Sequence, residues 1–523
     1  MSASREKKRR QEQREGGLEP IKRNRSDSGK GRGKIIGIVV GSVLALFAAV
    51  IIFYGSGALH KSLPVLTVDG HSVTPAEFNY FFTETKWNVY SMWAQYGMAF
   101  DPNLPLKSQD LGGESWADYI NEMTVDNVTT LLIQCNEAER AGVALSQEDY
   151  ELIDTALRNL TEEAASWGMT LQAYLDAYYG RQGLTPEILR RCLERQRLAG
   201  RWVTVKTESY TYTDAQLDDY YAENRTEFDR VTYESLTMNG VLAEGDDEQA
   251  EAYYQAVKAL ADELLEKVSS PDSFNALAVE YAARYEELTE EYAPEPEEDD
   301  HDHDHDAPLN TRYTLMEYSR ITNPEAADWL FALDRSSGDK DSFEQDQSIT
   351  VYSFIARERD DGALHDVRHI LAMFAEGSSR EPTEEEREEA LRRAEDILQE
   401  WRDGEATEES FGELANEHSD DQNGQVTDGG VYTDLTKFTP FVEPFRDWYI
   451  DPARRPGETG VVETVYGFHV MYYVRRHEDL TGWREQAGAS MTEENFNAYM
   501  EQALEAAKIS QNALGMFVTN IGK

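Results

Sequence analysis

The sequence predicts an α+β protein with a membrane-spanning N-terminal helix, a helical region, two tandem β-α-α-β-β modules and a C-terminal helix. Three observations predict it. An uncharged apolar run occupies residues 35–59, capped helix-period segments fill 62–228, and the order of motifs in 229–362 recurs in 363–478. At 523 residues the chain exceeds what one hydrophobic core organises.

Charge is distributed unevenly. The net charge is −49, yet residues 1–34 carry 12 Lys and Arg against 5 Asp and Glu, so the remainder is more acidic than the total suggests. So anionic a body repels nucleic acid and excludes it as a partner. The basic tail is explained by the apolar segment that it precedes. Ile35 to Leu59 holds no charged residue, and about 20 apolar residues span a bilayer. Positive charge just before such a run places the N-terminus in the cytoplasm. The run exceeds the h-region of a cleaved signal, and no A-x-A site comes closely after it. The expectation is therefore a retained single-pass anchor in the cell membrane, with residues 60–523 extracytoplasmic; a cleaved signal is the alternative.

Residues 62–228 form a predominantly helical region. "VLTVDGHSV" (65–73) alternates around Asp69-Gly70, a hairpin signal. Thr74, Pro75 and Glu77 then supply an N-cap, a first-turn proline and a capping box. Thr213 with Gln216 marks a later start. Cys135 and Cys192 lie in helix-like sequence with no basic or histidine neighbour that would mark a nucleophile. A disulfide is open to them, and buried free thiols are the expected state.

From Val231 the chain turns strand-like. "RVTYESLTM", a helix from Asp247 and "SFNALAVEYA" are followed by an acidic insertion at 294–308, then "ADWLFALDRSSGD" and "VYSFIARERD". The second copy reads "DVRHILAMF", a helix capped by Thr383 and Glu386, "SFGELANEHS", "RDWYIDPARRPGE" and "VMYYVRRHE". Residues 479–523 are expected to form a C-terminal helix that packs back onto the helical region.

The chemistry concentrates in two strands of the second copy. In "VRHILAMF" side chains alternate, so Val367, His369, Leu371 and Met373 share a face. In "VYGFHVMYY", His469 shares a face with Met471 and Tyr473. If the strands are neighbours, two imidazoles meet inside one sheet, one donating and one accepting, and each needs a further partner. The matching strand ends of the first copy carry Tyr233 and no histidine.

This second copy resembles the parvulin-type peptidyl-prolyl cis-trans isomerases. The residues that carry the resemblance are His369-Ile370-Leu371, Phe411 with Leu414-Ala415, Ser419-Asp420-Asp421, Gly429-Gly430 and Tyr466-Gly467-Phe468-His469. The resemblance implies a catalytic group of His369, Asp421, His469 and Thr464. It also implies a proline site formed by Phe441, Phe445, Leu371 and Phe468. Two departures stand out: Phe441, where Met or Leu is usual, and Val431-Tyr432, where Asp-Leu-Gly is frequent. No G-x-S-x-G hydrolase motif appears.

The whole chain resembles the PrsA/SurA group of extracytoplasmic foldases, which join a helical chaperone domain to one or two parvulin modules. The first copy is then a degenerate parvulin module. The implied function is isomerisation of X-Pro bonds in secreted or cell-envelope proteins, with unfolded or newly secreted polypeptides as partners and no cofactor. The alternative is a non-enzymatic holdase or assembly chaperone that keeps the fold for client binding. The run "EPEEDDHDHDHDAP" within 294–308 suits Zn²⁺, Ni²⁺ or Cu²⁺ by residue type. Its prolines favour a solvated loop, and no specific metal site is assigned to it.

Overall fold

The computed structural model describes residues 58–180, 183–242, 246–292, 311–375, 381–421 and 429–519. The apolar run, except its last two residues, and the whole of the acidic histidine run lie outside them. Among the described residues no helix is long and apolar enough to cross a membrane. The chain divides into two compact units, residues 1–206 with 499–523, and residues 207–498. The first division thus falls at 206, whereas the end of the helical region is predicted at 228.

In the first unit, Asp69 and Gly70 both have positive φ (49° and 96°). Such a two-residue turn joins antiparallel strands, here β1 (Leu66–Val68) and β2 (His71–Val73). Helix α1 (Pro75–Ala94) follows with its capping box made by Thr74 and Glu77. Helices α2 (Trp116–Ala141), α3 (Gln147–Ser166), α4 (Leu171–Tyr178) and α5 (Pro186–Glu208) come next. The core gathers Leu66, Phe78, Leu132, Ile188 and Cys192. Cys135 and Cys192 are both free and buried, and burial pushes the Cys135 thiol up to about 11.

The tail differs from the expected single helix. A helix over Gly482–Ala506 ends, Ile509–Gln511 forms a strand antiparallel to β1, and a short helix over Ala513–Thr519 follows. A local cap accompanies the pairing with β1. Asn512 accepts from the backbone N–H groups of Leu514 and Gly515 and caps the last helix, which leaves the preceding residues extended against the hairpin.

The second unit contains two modules of the same topology. In the first, β3 (Arg230–Asn239) leads to α6 (Asp247–Lys267), α7 (Pro271–Tyr292), β4 (Arg312–Met316), α8 (Pro324–Phe331), β5 (Lys340–Gln345) and β6 (Ser348–Glu358). In the second, β7 (Ala363–Met373) leads to α9 (Glu384–Asp403), α10 (Glu408–His418), β8 (Val431–Leu435), α11 (Glu443–Ile450), β9 (Thr459–Glu463) and β10 (Gly467–Thr481). The sheets are ordered β4-β3-β6-β5 and β8-β7-β10-β9, all antiparallel. Each module therefore has one strand and one short helix more than the predicted β-α-α-β-β pattern. The extra strand is only five residues long in both copies, too short to show a period.

Each face of the second sheet has its own core. Ile370, Ala372, Val470 and Tyr472 pack under α9 and α10 with Trp401 and Phe411. Val367, Met471 and Tyr473 pack on the other face with Phe445 and Tyr449 of α11. The functional side chains lie on this second face.

The approach of β8 to β7 depends on Gly430. Its φ is +65°, and a Cβ added there would fall inside the contact shell of the His369 carbonyl oxygen. His369 N–H donates to the Gly430 carbonyl at 2.9 Å. Gly430→Ala is expected to push β8 off β7 and to destabilise the second module by about 2 kcal/mol or more, seen as a lower urea midpoint. A midpoint equal to wild type would contradict this packing.

Candidate active site

Strands β7 and β10 are hydrogen-bonded neighbours in which Met471 faces His369 and His469 faces Leu371. The two histidines are therefore diagonal partners on one face. Their rings lie 5.4 Å apart, with 3.2 Å between the two Nδ1 atoms. Both are nearly inaccessible, at 2% and 6% exposure, so every ring nitrogen needs a protein partner. His369 Nε2 lies 3.1 Å from Asp421 Oδ2, and His469 Nε2 lies 3.0 Å from Thr464 Oγ1.

Asp421 comes from a segment that extends along the edge of β7. Asp420 N–H donates to Leu371 O at 2.9 Å, and Leu371 N–H donates to Ser419 Oγ at 3.1 Å. Asp420 accepts Met373 N–H at 3.0 Å and is held bidentately by Arg393 at 2.5 and 2.9 Å. That clamp directs the next residue, Asp421, under His369. Thr464 is fixed in the turn before β10, where its oxygen accepts Tyr466 N–H at 3.2 Å.

The four groups form a chain with one consistent direction. With Asp421 ionised, the Thr464 hydroxyl, which also lies 3.3 Å from the Gly467 carbonyl, donates to His469 Nε2 at the shorter 3.0 Å, His469 Nδ1–H to His369 Nδ1, and His369 Nε2–H to the Asp421 carboxylate. The opposite direction requires a protonated Asp421; otherwise a ring lone pair would face a carboxylate lone pair. Both imidazoles are neutral in either direction. This agrees with His469, whose burial, reinforced by His369, lowers its pKa to about 3.

A pocket of about 450 Å³ opens beside this chain, within the range of small-ligand sites. Leu371, Met373, Phe441, Val442 and Phe445 give it apolar walls. Phe441 and Phe445 are 4.8 Å apart, and Phe445 presents its edge to both imidazoles at 5.5 and 5.1 Å. His369, His469, Asp421, Phe441, Phe445 and Leu371 thus meet at one place. Thr464 stands behind His469 and lines an adjoining cavity.

Phe468 does not belong with them. It packs in the core under α9, edge-on to Phe374 at 6.0 Å. It is one residue from His469, and successive strand residues point to opposite faces. The assignment of Phe468 to the proline site is therefore corrected. Tyr432 joins the site without having been assigned to it. It lies over His369 with centroids 5.0 Å apart, and its hydroxyl donates to Asp421 Oδ2 at 3.1 Å. The unusual aromatic residue after Gly429-Gly430 was its sequence signal.

Such a site suits a reaction that breaks no bond. Rotating an X-Pro amide has a barrier of about 18–20 kcal/mol. The twisted amide loses resonance and becomes less dipolar, so a pocket that excludes water favours it over the planar ground state. The chain of neutral donors beside the pocket holds its polar wall fixed.

In the first module the same place is filled by tyrosines. Tyr313 stacks on Tyr233 at 5.2 Å, and Tyr352 lies 5.5 Å from Tyr233. No histidine stands on β3 or β6.

Comparisons with known proteins agree with this geometry. Residues 369–475 match the rotamase family model, described as a PPIC-type PPIase domain. No curated protein matches. Among solved structures, peptidyl-prolyl isomerase ESS1 from Candida albicans is similar at 22% identity, covering 21% of this chain and 63% of its own (TM-score 0.18). PrsA from Bacillus anthracis is similar at 17% identity, covering 28% and 59% (TM-score 0.18). PrsA from Bacillus subtilis is similar at 12% identity, covering 77% and 91% (TM-score 0.27). The matched regions span less than two thirds of the first two structures.

The depressed His469 pKa has a consequence for stability. Unfolded histidine takes up its proton near pH 6.5, while folded His469 resists it down to about 3. Its contribution is full above pH 6.5 and is lost as pH falls towards 3, with a slope of up to about 1.4 kcal/mol per pH unit. His469→Gln is expected to unfold with a shallower acid dependence between pH 6.5 and 4, measured by urea titration at each pH. An identical slope would show that His469 is not held neutral. The buried histidine pair, its carboxylate and hydroxyl partners, the apolar pocket and the family match all lie in one module: over residues 369–475 the chain carries a PPIC-type peptidyl-prolyl isomerase domain.

Proposed function

We propose that this protein is a membrane-anchored extracytoplasmic foldase that isomerises X-Pro bonds in unfolded or newly secreted polypeptides and also binds them as a chaperone. The observation that carries the reading is the chain of Thr464, His469, His369 and Asp421 beside an apolar-walled pocket of about 450 Å³. The anchor and orientation rest on the sequence: an uncharged run at 35–59 behind a basic tail. The helical region is assigned to client binding by the resemblance to the PrsA/SurA group. The tyrosine-filled first module is assigned to spacing or client contact, since it has no histidine on its two central strands.

The rival reading is a holdase that uses both modules only for binding. A site kept for binding alone has no need of two buried imidazoles joined to a carboxylate, because burying polar groups costs stability unless every one is bonded.

The full chain is expected to accelerate isomerisation of a short X-Pro peptide, and His469→Ala to reduce kcat/KM at least tenfold while suppression of client aggregation persists. Suppression of aggregation without acceleration by the wild type would establish the holdase. Protease added outside intact cells is expected to degrade residues 60–523 and spare the tail; full protection would refute the proposed location.

A further inference from the structure

We propose that Tyr432 is a positioning residue of the isomerase site, one that sets the direction of the hydrogen-bond chain through the histidine pair. This rests on the isomerase reading of the second module.

Tyr432 lies on β8, paired across from Val367 of β7, which puts its side chain on the face of His369. Three contacts hold it. Its ring lies over His369 at an interplanar angle of 29°. Phe441 meets it edge-on at 5.0 Å. Its hydroxyl donates to the Asp421 oxygen that His369 Nε2 also approaches, both at 3.1 Å.

That convergence distinguishes the two directions of the chain. When His369 donates towards Asp421, the shared oxygen is a carboxylate that takes two donors, which carboxylate lone pairs accommodate. In the other direction Asp421 must carry the proton and give it to His369, and a second donor on the same oxygen disfavours that state. Tyr432 therefore biases the chain towards His469 Nδ1–H and His369 Nε2–H. This orientation leaves the Thr464 hydroxyl directed at His469 and the polar wall of the pocket in a single state.

Tyr432 is suited to act only as a donor. Burial, then the charge of Asp421, push its phenol well above its ordinary value. Among the described residues, the ionisable groups around Asp421 include His369 on β7, His469 on β10, Tyr432 on β8, and the neighbouring Asp420 with its Arg393 partner. Arg393 is committed to Asp420 by two hydrogen bonds, and the Tyr432 hydroxyl is a neutral donor to Asp421. An aliphatic residue at this position could form the pocket wall but could not perform this role.

The test uses the full chain, selectively labelled with ¹⁵N-histidine. His369→Gln and His469→Gln variants assign the two rings. In the wild type at neutral pH, His369 is expected to carry its proton on Nε2 and His469 on Nδ1. Tyr432→Phe keeps the ring and removes the hydroxyl. It is expected to move both rings towards the opposite tautomers and to shift the acid limb of kcat/KM for an X-Pro peptide upward by about one pH unit, since a tenfold change in the Asp421 equilibrium is one unit. Tyr432→Leu is expected to give the same tautomer shift and a larger KM. Unchanged tautomers and an unchanged pH profile in Tyr432→Phe would overturn the proposal and reduce Tyr432 to a pocket wall. A wild type without isomerase activity would overturn the isomerase reading, while the tautomers would still decide the role of Tyr432. Thermal unfolding of Tyr432→Phe checks its fold; if it is unfolded, Tyr432→Leu and the wild-type tautomers decide, and a wild type with the opposite tautomers overturns the proposal.

Discussion

Two imidazoles buried side by side in one antiparallel sheet form the constraint on which the rest of the second module depends. Each ring has two nitrogens, and both rings are nearly inaccessible to water. One nitrogen of each is satisfied by the other ring. The two that remain must be met by groups brought from outside the central strands, or each would cost about 1–3 kcal/mol. Asp421 and Thr464 are those groups, and the irregular parts of the module serve to deliver them. The segment after α10 is laid against the edge of β7 and pinned by Arg393. The turn before β10 folds Thr464 back onto His469. Gly430 allows β8 to come close enough to hold the other side.

The first module shows what the fold does without that constraint. Its strand order and helix positions are the same, so the topology does not need the histidines. Tyr233 and Tyr352 take the place of the imidazoles and pack with Phe331, Ile321 and Leu330 as an ordinary aromatic core. A phenol has one polar atom at its tip, which can reach an edge, whereas an imidazole carries two within its ring. The substitution thus removes the need for an Asp421 or Thr464 equivalent.

Much of this was legible in the sequence because it obeys short-range rules. Alternation along β7 assigns Val367, His369, Leu371 and Met373 to one face, and they lie there. The Asp69-Gly70 turn and the capping boxes at Thr74, Thr213 and Thr383 are local hydrogen-bond motifs, and each forms as its residues dictate. The five-residue strands at the sheet edges were not legible, nor was the break in the C-terminal helix. Their conformation is decided by partners far along the chain, such as β1 for Ile509–Gln511.

Phe468 and Tyr432 mark the boundary between the two kinds of knowledge. The family resemblance puts Phe468, the sequence neighbour of His469, in the proline site, yet in a strand adjacency in sequence means opposition in space. Tyr432 is far from both histidines in sequence, and it touches one of them because β8 pairs with β7 in a register fixed only by the folded sheet. A strand's own pattern therefore tells which of its residues share a face. It does not tell which neighbour will occupy that face beside them. In this protein that neighbour is a tyrosine whose ring completes the pocket and whose hydroxyl reaches the carboxylate at the end of the histidine chain. The pocket wall and the polar chain are thus joined through one side chain, so any movement of the Tyr432 ring also disturbs the hydrogen bond to Asp421.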